Sequence, residues 1–338
     1  MVPKPASMPT GASIVTIVNR RARRLGGQGA TSRPLLDVLR ARRQGVRVVE
    51  TSTLAELETA AEEIAREVPD AVILAGGDGS YMAGVTALAR AFVDAGRGEE
   101  ALPAIGFAPG GTVSTVARNW GFKGGGLLSG GGDAARYASR LVDAIARGRA
   151  SSRARPTLRV TDDHATRIGF IFGAGLVSRF FEVYDEDGAR GYGGAAKIVG
   201  RIFAGSFTHG RLAQRVLTPV PCELEVDGVR APFDRTSLVC ASVVKNLGIG
   251  MRLLYRAGES HERFHVVASA LGPARLGPQL PLVLAGRPLF GKGRVDTLAG
   301  SLTLHFPERD GAYVLDGELV RAERVDVTPG PVLRILSV

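Results

Sequence analysis

The chain has 338 residues, of which 45% are hydrophobic and 22% charged, and its formal net charge is +10. Its length predicts two domains at roughly 150 residues each, and its two cysteines exclude a disulfide scaffold and favour a reducing cytoplasm. Aromatic residues make up 6% and no nucleic-acid-binding motif occurs, so we expect no nucleic-acid partner despite the basic charge.

Strand-like and helix-like patterns alternate through the first 150 residues. The β-rich runs are 13–18, 46–50, 71–74 and 104–107, and the helix-like segments are 35–42, 54–67, 82–92 and 134–146. Such alternation predicts right-handed βαβ units. We therefore expect residues 1–150 to form an α/β domain with a doubly wound parallel sheet, which binds ligands at the carboxyl ends of its strands.

Short β-rich runs dominate from residue 151 onward. They are 157–160, 167–172, 222–226, 237–244, 264–268, 301–305 and 325–327, interrupted by one helix-like segment at 194–207. This pattern predicts a second domain over residues 151–338, a mainly antiparallel β-sandwich that carries the substrate site. Its last strands are free to return to the hinge with the first domain.

The sequence Gly76-Gly77-Asp78-Gly79-Ser80 stands where a strand should pass into a helix. Glycines let the backbone approach a bulky anion closely, and a helix N-terminus favours a phosphate. Asp78 adds a carboxylate suited to a metal ion or a substrate hydroxyl. Glycines alone would indicate a tight turn, whereas the added acid and hydroxyl favour phosphoryl transfer.

Two further motifs allow more than one interpretation. Pro109-Gly110-Gly111-Thr112 follows the next strand, and Thr112 taken alone is equally typical of a helix N-cap. Asp316-Gly317-Glu318 lies between β-rich runs near the end of the chain, where Asp-Gly is also a common hairpin turn.

In order and spacing, these three motifs resemble those of the diacylglycerol kinase and sphingosine kinase family of lipid kinases. That family carries GGDG followed by Thr or Ser, then a P-x-G-T segment ending in Ala-Arg, as at Ala117-Arg118 here, and finally an acidic D-G-E. The likeness spans nearly the whole chain. The resemblance implies a nucleotide-binding first domain and a lipid-binding second domain.

The resemblance also implies ATP and magnesium, with the γ-phosphate passed to a lipid hydroxyl of a diacylglycerol or sphingoid acceptor. It assigns Asp316 as the catalytic base and Asp78 as a second catalytic residue that meets the metal through ATP-bound magnesium. The nucleotide site that it implies comprises Asn19, Thr51, Gly76, Gly77, Asp78, Gly79, Ser80, Gly111, Thr112 and Glu318.

A lipid acceptor would place the protein at a membrane surface. We therefore expect a cytoplasmic protein that attaches peripherally to the inner face of the membrane, and a homodimer is compatible with the sequence.

Departures from the family pattern keep alternatives open. Ser114-Thr115 replaces the family's Asn-Asp pair, and Arg20 to Arg23 replace most of its N-P-x-S-G turn. One alternative is a kinase of the same wider fold whose acceptor is a sugar phosphate or NAD. Another is a nucleotide- or lipid-binding regulator that has lost activity.

Overall fold

The structure is a computed structural model that describes residues 6–22, 46–110, 114–122, 132–189, 191–307 and 311–338. The chain divides into two compact units, Met1–Arg155 with Pro331–Val338, and Pro156–Gly330. The helix predicted at 35–42 lies outside the described residues.

Strands and helices alternate in the first part of the chain, close to the predicted bounds. In order, they are β1 (Ala6–Ser7), β2 (Ile14–Asn19), β3 (Val46–Thr51), α1 (Leu54–Glu67), β4 (Ala71–Gly76), α2 (Asp78–Asp94), a 3₁₀ turn (Glu99–Ala101), β5 (Ala104–Pro109), α3 (Thr115–Asn119), α4 (Gly132–Ala146) and β6 (Ser151–Arg155).

Strands dominate the second part, with a group of helices that the sequence only partly predicted. Its strands are β7 (Leu158–Asp162), β8 (Thr166–Gly169), β9 (Ile171–Gly175), β10 (Val220–Pro221), β11 (Glu223–Val226), β12 (Val229–Arg230), β13 (Arg235–Thr236), β14 (Leu238–Ser242), β15 (Phe264–Ser269), β16 (Arg294–Ala299), β17 (Leu302–His305), β18 (Ala312–Leu315), β19 (Glu318–Arg321), β20 (Arg324–Pro329) and β21 (Leu333–Ser337). Its helices are α5 (Leu176–Glu186), α6 (Gly191–Phe207), α7 (Arg211–Leu217), α8 (Pro273–Leu276), a 3₁₀ turn (Gly277–Gln279) and α9 (Leu280–Leu284).

The first unit is built on a seven-stranded sheet in the order β1-β6-β21-β5-β4-β2-β3. Strands β3, β2, β4, β5 and β21 pair in parallel, while β6 and β1 are antiparallel at one edge. Every residue of β4 and β5 is buried, as the near-continuous apolar runs of a parallel sheet require. The predicted α/β fold is confirmed, with an antiparallel edge added to the parallel strands.

Helix α1 shows how local sequence sets an element of this unit. The Oγ1 of Thr53 accepts the N–H of Glu56 (3.2 Å) and so caps the first turn, and Val68 ends the helix in the left-handed region. Leu57 and Ile64 are buried, but Leu54, one turn before Leu57 on the same helical face, is 68% exposed. The first turn therefore contributes its cap to the fold, and Leu54 adds nothing to the core.

The second unit contains two six-stranded antiparallel sheets arranged like a sandwich, which confirms the predicted β-rich domain. Their orders are β12-β11-β17-β20-β7-β8 and β16-β15-β14-β9-β18-β19. Helices α5, α6 and α7 contribute to a core cluster with β14 and β15 that includes Val183, Ile198, Leu217, Cys240 and Val267.

Candidate functional site

The glycine turn at 76–80 joins buried strand β4 to helix α2. The helix begins at Asp78, four residues before the predicted start, and its first backbone bond runs from Tyr81 N–H to Gly77 C=O (3.0 Å). The N–H groups of a first helical turn lack partners within the helix, and the helix dipole favours negative charge there. The turn therefore suits a phosphate at the carboxyl end of β4.

Ser80 closes this turn from the inside. A Cβ at Gly76 would lie 2.5 Å from the Cβ of Ser80, far inside normal carbon contact, so position 76 requires glycine. The Oγ of Ser80 accepts the N–H of Gly77 (3.3 Å) and the Nδ2–H of Asn19 (2.8 Å). Because both bonds use the oxygen as acceptor, the Ser80 O–H can still donate to a phosphate oxygen.

The tertiary structure brings several of the predicted nucleotide-site residues to one edge of the sheet. Asn19 ends β2 and pairs in register with Thr51, the buried last residue of β3. The Oδ1 of Asn19 also accepts the N–H of Arg21 (2.9 Å), and Gly110 N–H donates to Gly76 C=O (2.6 Å). The carboxyl ends of β2, β3, β4 and β5 therefore meet here; Gly111 and Thr112 lie outside the described residues.

Asp78 binds backbone rather than standing open to a ligand. Its Oδ2 accepts the N–H of Thr115 (2.8 Å) and its Oδ1 accepts the N–H of Val116 (3.0 Å). These amides open the short helix α3, which starts after Ser114 in the left-handed region (φ +48°). Asp78 therefore fastens the turn after β5 to the turn after β4.

The electrostatics of Asp78 agree with this role. Removal of the carboxyl from water raises its pKa, although the N–H bonds from Val116 and Thr115 and the charge of Arg118 act in the opposite direction. Among the described residues no group of three His, Cys, Asp or Glu side chains is placed to hold a metal ion. Each oxygen of Asp78 accepts one amide N–H, which fixes the orientation of the carboxylate.

Asp316 lies in the second unit at a tight hairpin. Asp316 (φ +50°) and Gly317 (φ +91°) are the two loop residues between β18 and β19, as in a type I′ turn. Asp316 is buried, and its Oδ2 and Oδ1 accept the N–H groups of Phe170 (2.9 Å) and Ile171 (3.0 Å). Each of its two carboxylate oxygens is therefore oriented by a backbone N–H.

Asp227 provides an internal comparison for this turn. It too precedes a glycine in a two-residue hairpin with a positive φ (+50°), and its Oδ1 accepts the N–H groups of Gly300 (2.7 Å) and Ser301 (2.9 Å). Asp227 is exposed whereas Asp316 is buried. The hairpin interpretation of Asp-Gly therefore holds structurally at both positions, and burial distinguishes Asp316.

Glu318 is the exposed first residue of β19 in the second unit. The main partners that sequence reasoning missed are backbone amides, those of Thr115 and Val116 for Asp78 and those of Phe170 and Ile171 for Asp316. The N-cap interpretation of Thr112 would place a helix start close to Thr115 and Val116, but no pattern in the sequence pointed to the amides of Phe170 and Ile171.

No helix within the described part of the chain is long and apolar enough to cross a membrane.

Comparison with known proteins agrees with the motif resemblance. Residues 13–147 match the family model of the diacylglycerol kinase catalytic domain. A diacylglycerol kinase structure from Bacillus anthracis strain Sterne is 15% identical with a TM-score of 0.59, covering 96% of each chain. Two candidate diacylglycerol kinases of that strain are 16% and 15% identical, with TM-scores of 0.63 and 0.65, covering 96% and 97% of both chains. No curated protein sequence matches the chain.

These matches confirm the predicted resemblance. The family match covers the glycine turn and the segment after β5, and at such low identity the solved structures show a common fold over nearly the whole chain.

Proposed function

Because residues 13–147 match the family model of the diacylglycerol kinase catalytic domain, we propose that the protein is an ATP-dependent kinase that phosphorylates the hydroxyl of a diacylglycerol or sphingoid lipid. The observation that carries the proposal is the glycine turn, fastened through Ser80 to Asn19 and through Asp78 to helix α3. Phosphoryl transfer depends mainly on positioning and charge neutralisation, and a turn held at several points provides the positioning.

In this proposal the first turn of α2 binds the nucleotide phosphates. Its N–H groups and the Ser80 O–H donate to phosphate oxygens, while Asn19 and Thr51 shape the neighbouring strand ends. Glu318 is proposed to contact the nucleotide on the basis of the family resemblance alone. Magnesium would enter on ATP and neutralise phosphate charge, with Asp78 holding the turn in place.

Asp316 is the proposed proton acceptor. The lipid hydroxyl oxygen attacks the γ-phosphorus, the bond from that phosphorus to the bridging oxygen breaks, and ADP leaves with the electron pair. The hydroxyl proton passes to Asp316, whose carboxylate is already oriented by Phe170 and Ile171. A positioned base of this kind contributes about 10²- to 10⁴-fold in rate.

One observation favours a second candidate, a nucleotide-binding regulator without transfer. Both proposed acids, Asp78 and Asp316, use each carboxylate oxygen to hold backbone amides. If Asp78 and Asp316 only hold the backbone in place, the protein can bind a nucleotide but has no group to accept the proton of the attacking hydroxyl.

The test measures transfer of label from γ-labelled ATP with magnesium to diacylglycerol, sphingosine, fructose 6-phosphate and NAD. Asp316→Asn keeps the shape of the side chain, and Asp227→Asn is the matched control because it alters the same kind of turn. We expect labelled lipid, a kcat about 10²-fold or more lower in Asp316→Asn, and an unchanged kcat in Asp227→Asn.

Three results would count against the proposal. Label found on sugar or dinucleotide alone would assign a non-lipid acceptor. ATP binding without transfer to any acceptor would support the regulator. Equal loss of kcat in the Asp316 and Asp227 variants would show that both substitutions act through folding.

A further inference from the structure

The surface formed by Arg252, Leu284, Arg287, Phe290 and Lys292 combines exposed apolar and basic side chains. Leu284 is 44% exposed and Phe290 is 65% exposed, and the three basic residues are exposed as well. Single exposed apolar residues are ordinary on protein surfaces. Leu284 and Phe290 differ from such isolated residues because three exposed basic side chains belong to the same surface.

The sequence around this surface lacks negative charge. From Arg263 to Val295 there is no Asp or Glu, while five residues are Lys or Arg. Because 33 of the 338 residues are acidic, a stretch of this length would on average hold about three. Within the described part of the chain Arg252, Arg287 and Lys292 form no ion pair with an acidic side chain.

Backbone and side-chain contacts connect the residues of this surface through helix α9. Arg252 N–H donates to Val283 C=O (3.0 Å), which places the segment before β15 beside helix α9. A Cβ at Gly250 would lie 3.8 Å from the Cδ2 of Leu284, and one at Gly286 would lie 3.5 Å from the Cβ of Arg252. Arg252 and Leu284 are therefore close neighbours, and the bonds between Phe290 and Gln279, at the start of α9, bring the loop that carries Arg287, Phe290 and Lys292 to the same short helix.

Two hydrogen bonds hold the backbone of Phe290 in place at the surface. The amide of Gln279, a buried residue, accepts the N–H of Phe290 (2.8 Å) and donates to its C=O (3.1 Å). The preceding residue, Leu289, is buried in the core cluster of the unit. The exposed ring is thus presented by an anchored loop.

We propose that this surface docks the protein onto an anionic lipid membrane, with Leu284 and Phe290 entering the interface and the three cations facing the headgroups. Lys and Arg near an anionic surface gain electrostatic attraction, and aromatic and leucine side chains bury apolar area at the headgroup boundary. The absence of acidic residues from 263–295 favours an anionic membrane as the occupant, because anionic headgroups would repel each carboxylate. The inference deepens the proposed function, and rests on it only for the identity of the acceptor.

The test is co-sedimentation with vesicles of phosphatidylcholine containing phosphatidylglycerol, without ATP. Removing one cation should weaken binding about fivefold, so the triple variant should lose about 100-fold. The double apolar variant should also lose most binding. The test variants are R252Q/R287Q/K292Q and L284S/F290S, and their matched controls on other exposed sites are R66Q/R97Q/R149Q and V93S/V229S.

Binding should weaken as salt rises and be absent on pure phosphatidylcholine. Unchanged vesicle binding in both test variants, or an equal loss in the matched controls, would overturn the proposal. So would self-association that L284S/F290S abolishes while vesicle binding stays intact, because a second copy would then be the occupant. Vesicle binding is measured without turnover, so the two proposals can fail separately. Unsubstituted protein that phosphorylates a short-chain soluble acceptor but does not bind anionic vesicles refutes the surface, whereas protein that binds these vesicles but phosphorylates no acceptor refutes the kinase.

Discussion

Replacing Gly76 with alanine tests the packing of the glycine turn directly. The new Cβ would lie 2.5 Å from Ser80 Cβ and 2.6 Å from its Oγ, about 1 Å closer than normal contact. Relieving the overlap should cost about 1–3 kcal/mol. Displacing Ser80 also weakens its bonds to Asn19 and Gly77, each worth about 0.5–1.5 kcal/mol, so we expect a loss of about 2–4 kcal/mol in the free energy of unfolding.

A double-mutant cycle isolates the cause. In a Ser80→Gly background the clashing atoms and both bonds are gone, and the next neighbour of the new Cβ is Asn19 Cβ at 3.7 Å. Gly76→Ala should then be neutral, or stabilising by about 0.4–1 kcal/mol through the unfolded chain. Ser80→Ala keeps the Cβ, so in that background the penalty should persist at about 1–3 kcal/mol.

The assay is urea unfolding followed by tryptophan fluorescence. Trp120 is the single tryptophan of the chain and is buried in the first unit, stacked 5.9 Å from Phe107, so its signal reports the unit that holds the turn. The packing argument would be refuted if Gly76→Ala left the free energy of unfolding unchanged, or if it lowered that free energy equally in the Ser80→Gly background.

Three further predictions follow from other contacts. Asp78→Asn keeps one acceptor for the amides of α3 and should raise the KM for ATP less than Asp78→Ala does; equal effects would show that the bonds to α3 do not matter. Burial alone would raise the pKa of Asp162, but bonds from Tyr313, two backbone amides and Arg167 together lower it, so its stabilising contribution is present above about pH 4 and is lost as the pH falls through the folded-state value. The unfolding penalty of Asp162→Asn should therefore shrink toward pH 3, and a constant penalty would contradict the assignment. Burial raises the pKa of the Cys222 thiol to about 11 and that of Cys240 to about 12, so a thiol reagent at pH 8 should label neither in the native protein and both in urea; fast native labelling would refute their burial.

Much of the first unit could be predicted because its signals are local. The apolar run of β4 and the glycines after it mark a strand and a turn, and the Thr53 cap marks the start of α1. Leu54 shows where such prediction fails, because the spacing of apolar residues in a helix does not reveal whether the first turn is buried or exposed. The start of α2 at Asp78 was missed because Gly79 and Ser80 are weak helix formers in isolation.

The second unit was harder to predict from pattern alone. The run 167–172 appeared as one strand but is divided between β8 and β9, and the amides of Phe170 and Ile171 bind Asp316 there. Helices α5 and α7 were not predicted. Their apolar faces are too short to give a clear helical pattern in the sequence. The structure shows that these faces pack in the core cluster with α6 and the neighbouring strands.

The sequence by itself determined the alternation of strands and helices, the glycine turn at 76–80, and the resemblance to lipid kinases, because each depends on residues close together in the chain. Tertiary structure alone decided what the two acids touch and where the last strand pairs. Asp78 finds its amides 37 and 38 residues away, Asp316 finds its own 146 and 145 residues away, and β21 joins β5 and β6 in the first sheet. Contacts between residues so far apart in the sequence form only when the whole chain folds, so no local sequence pattern can predict them.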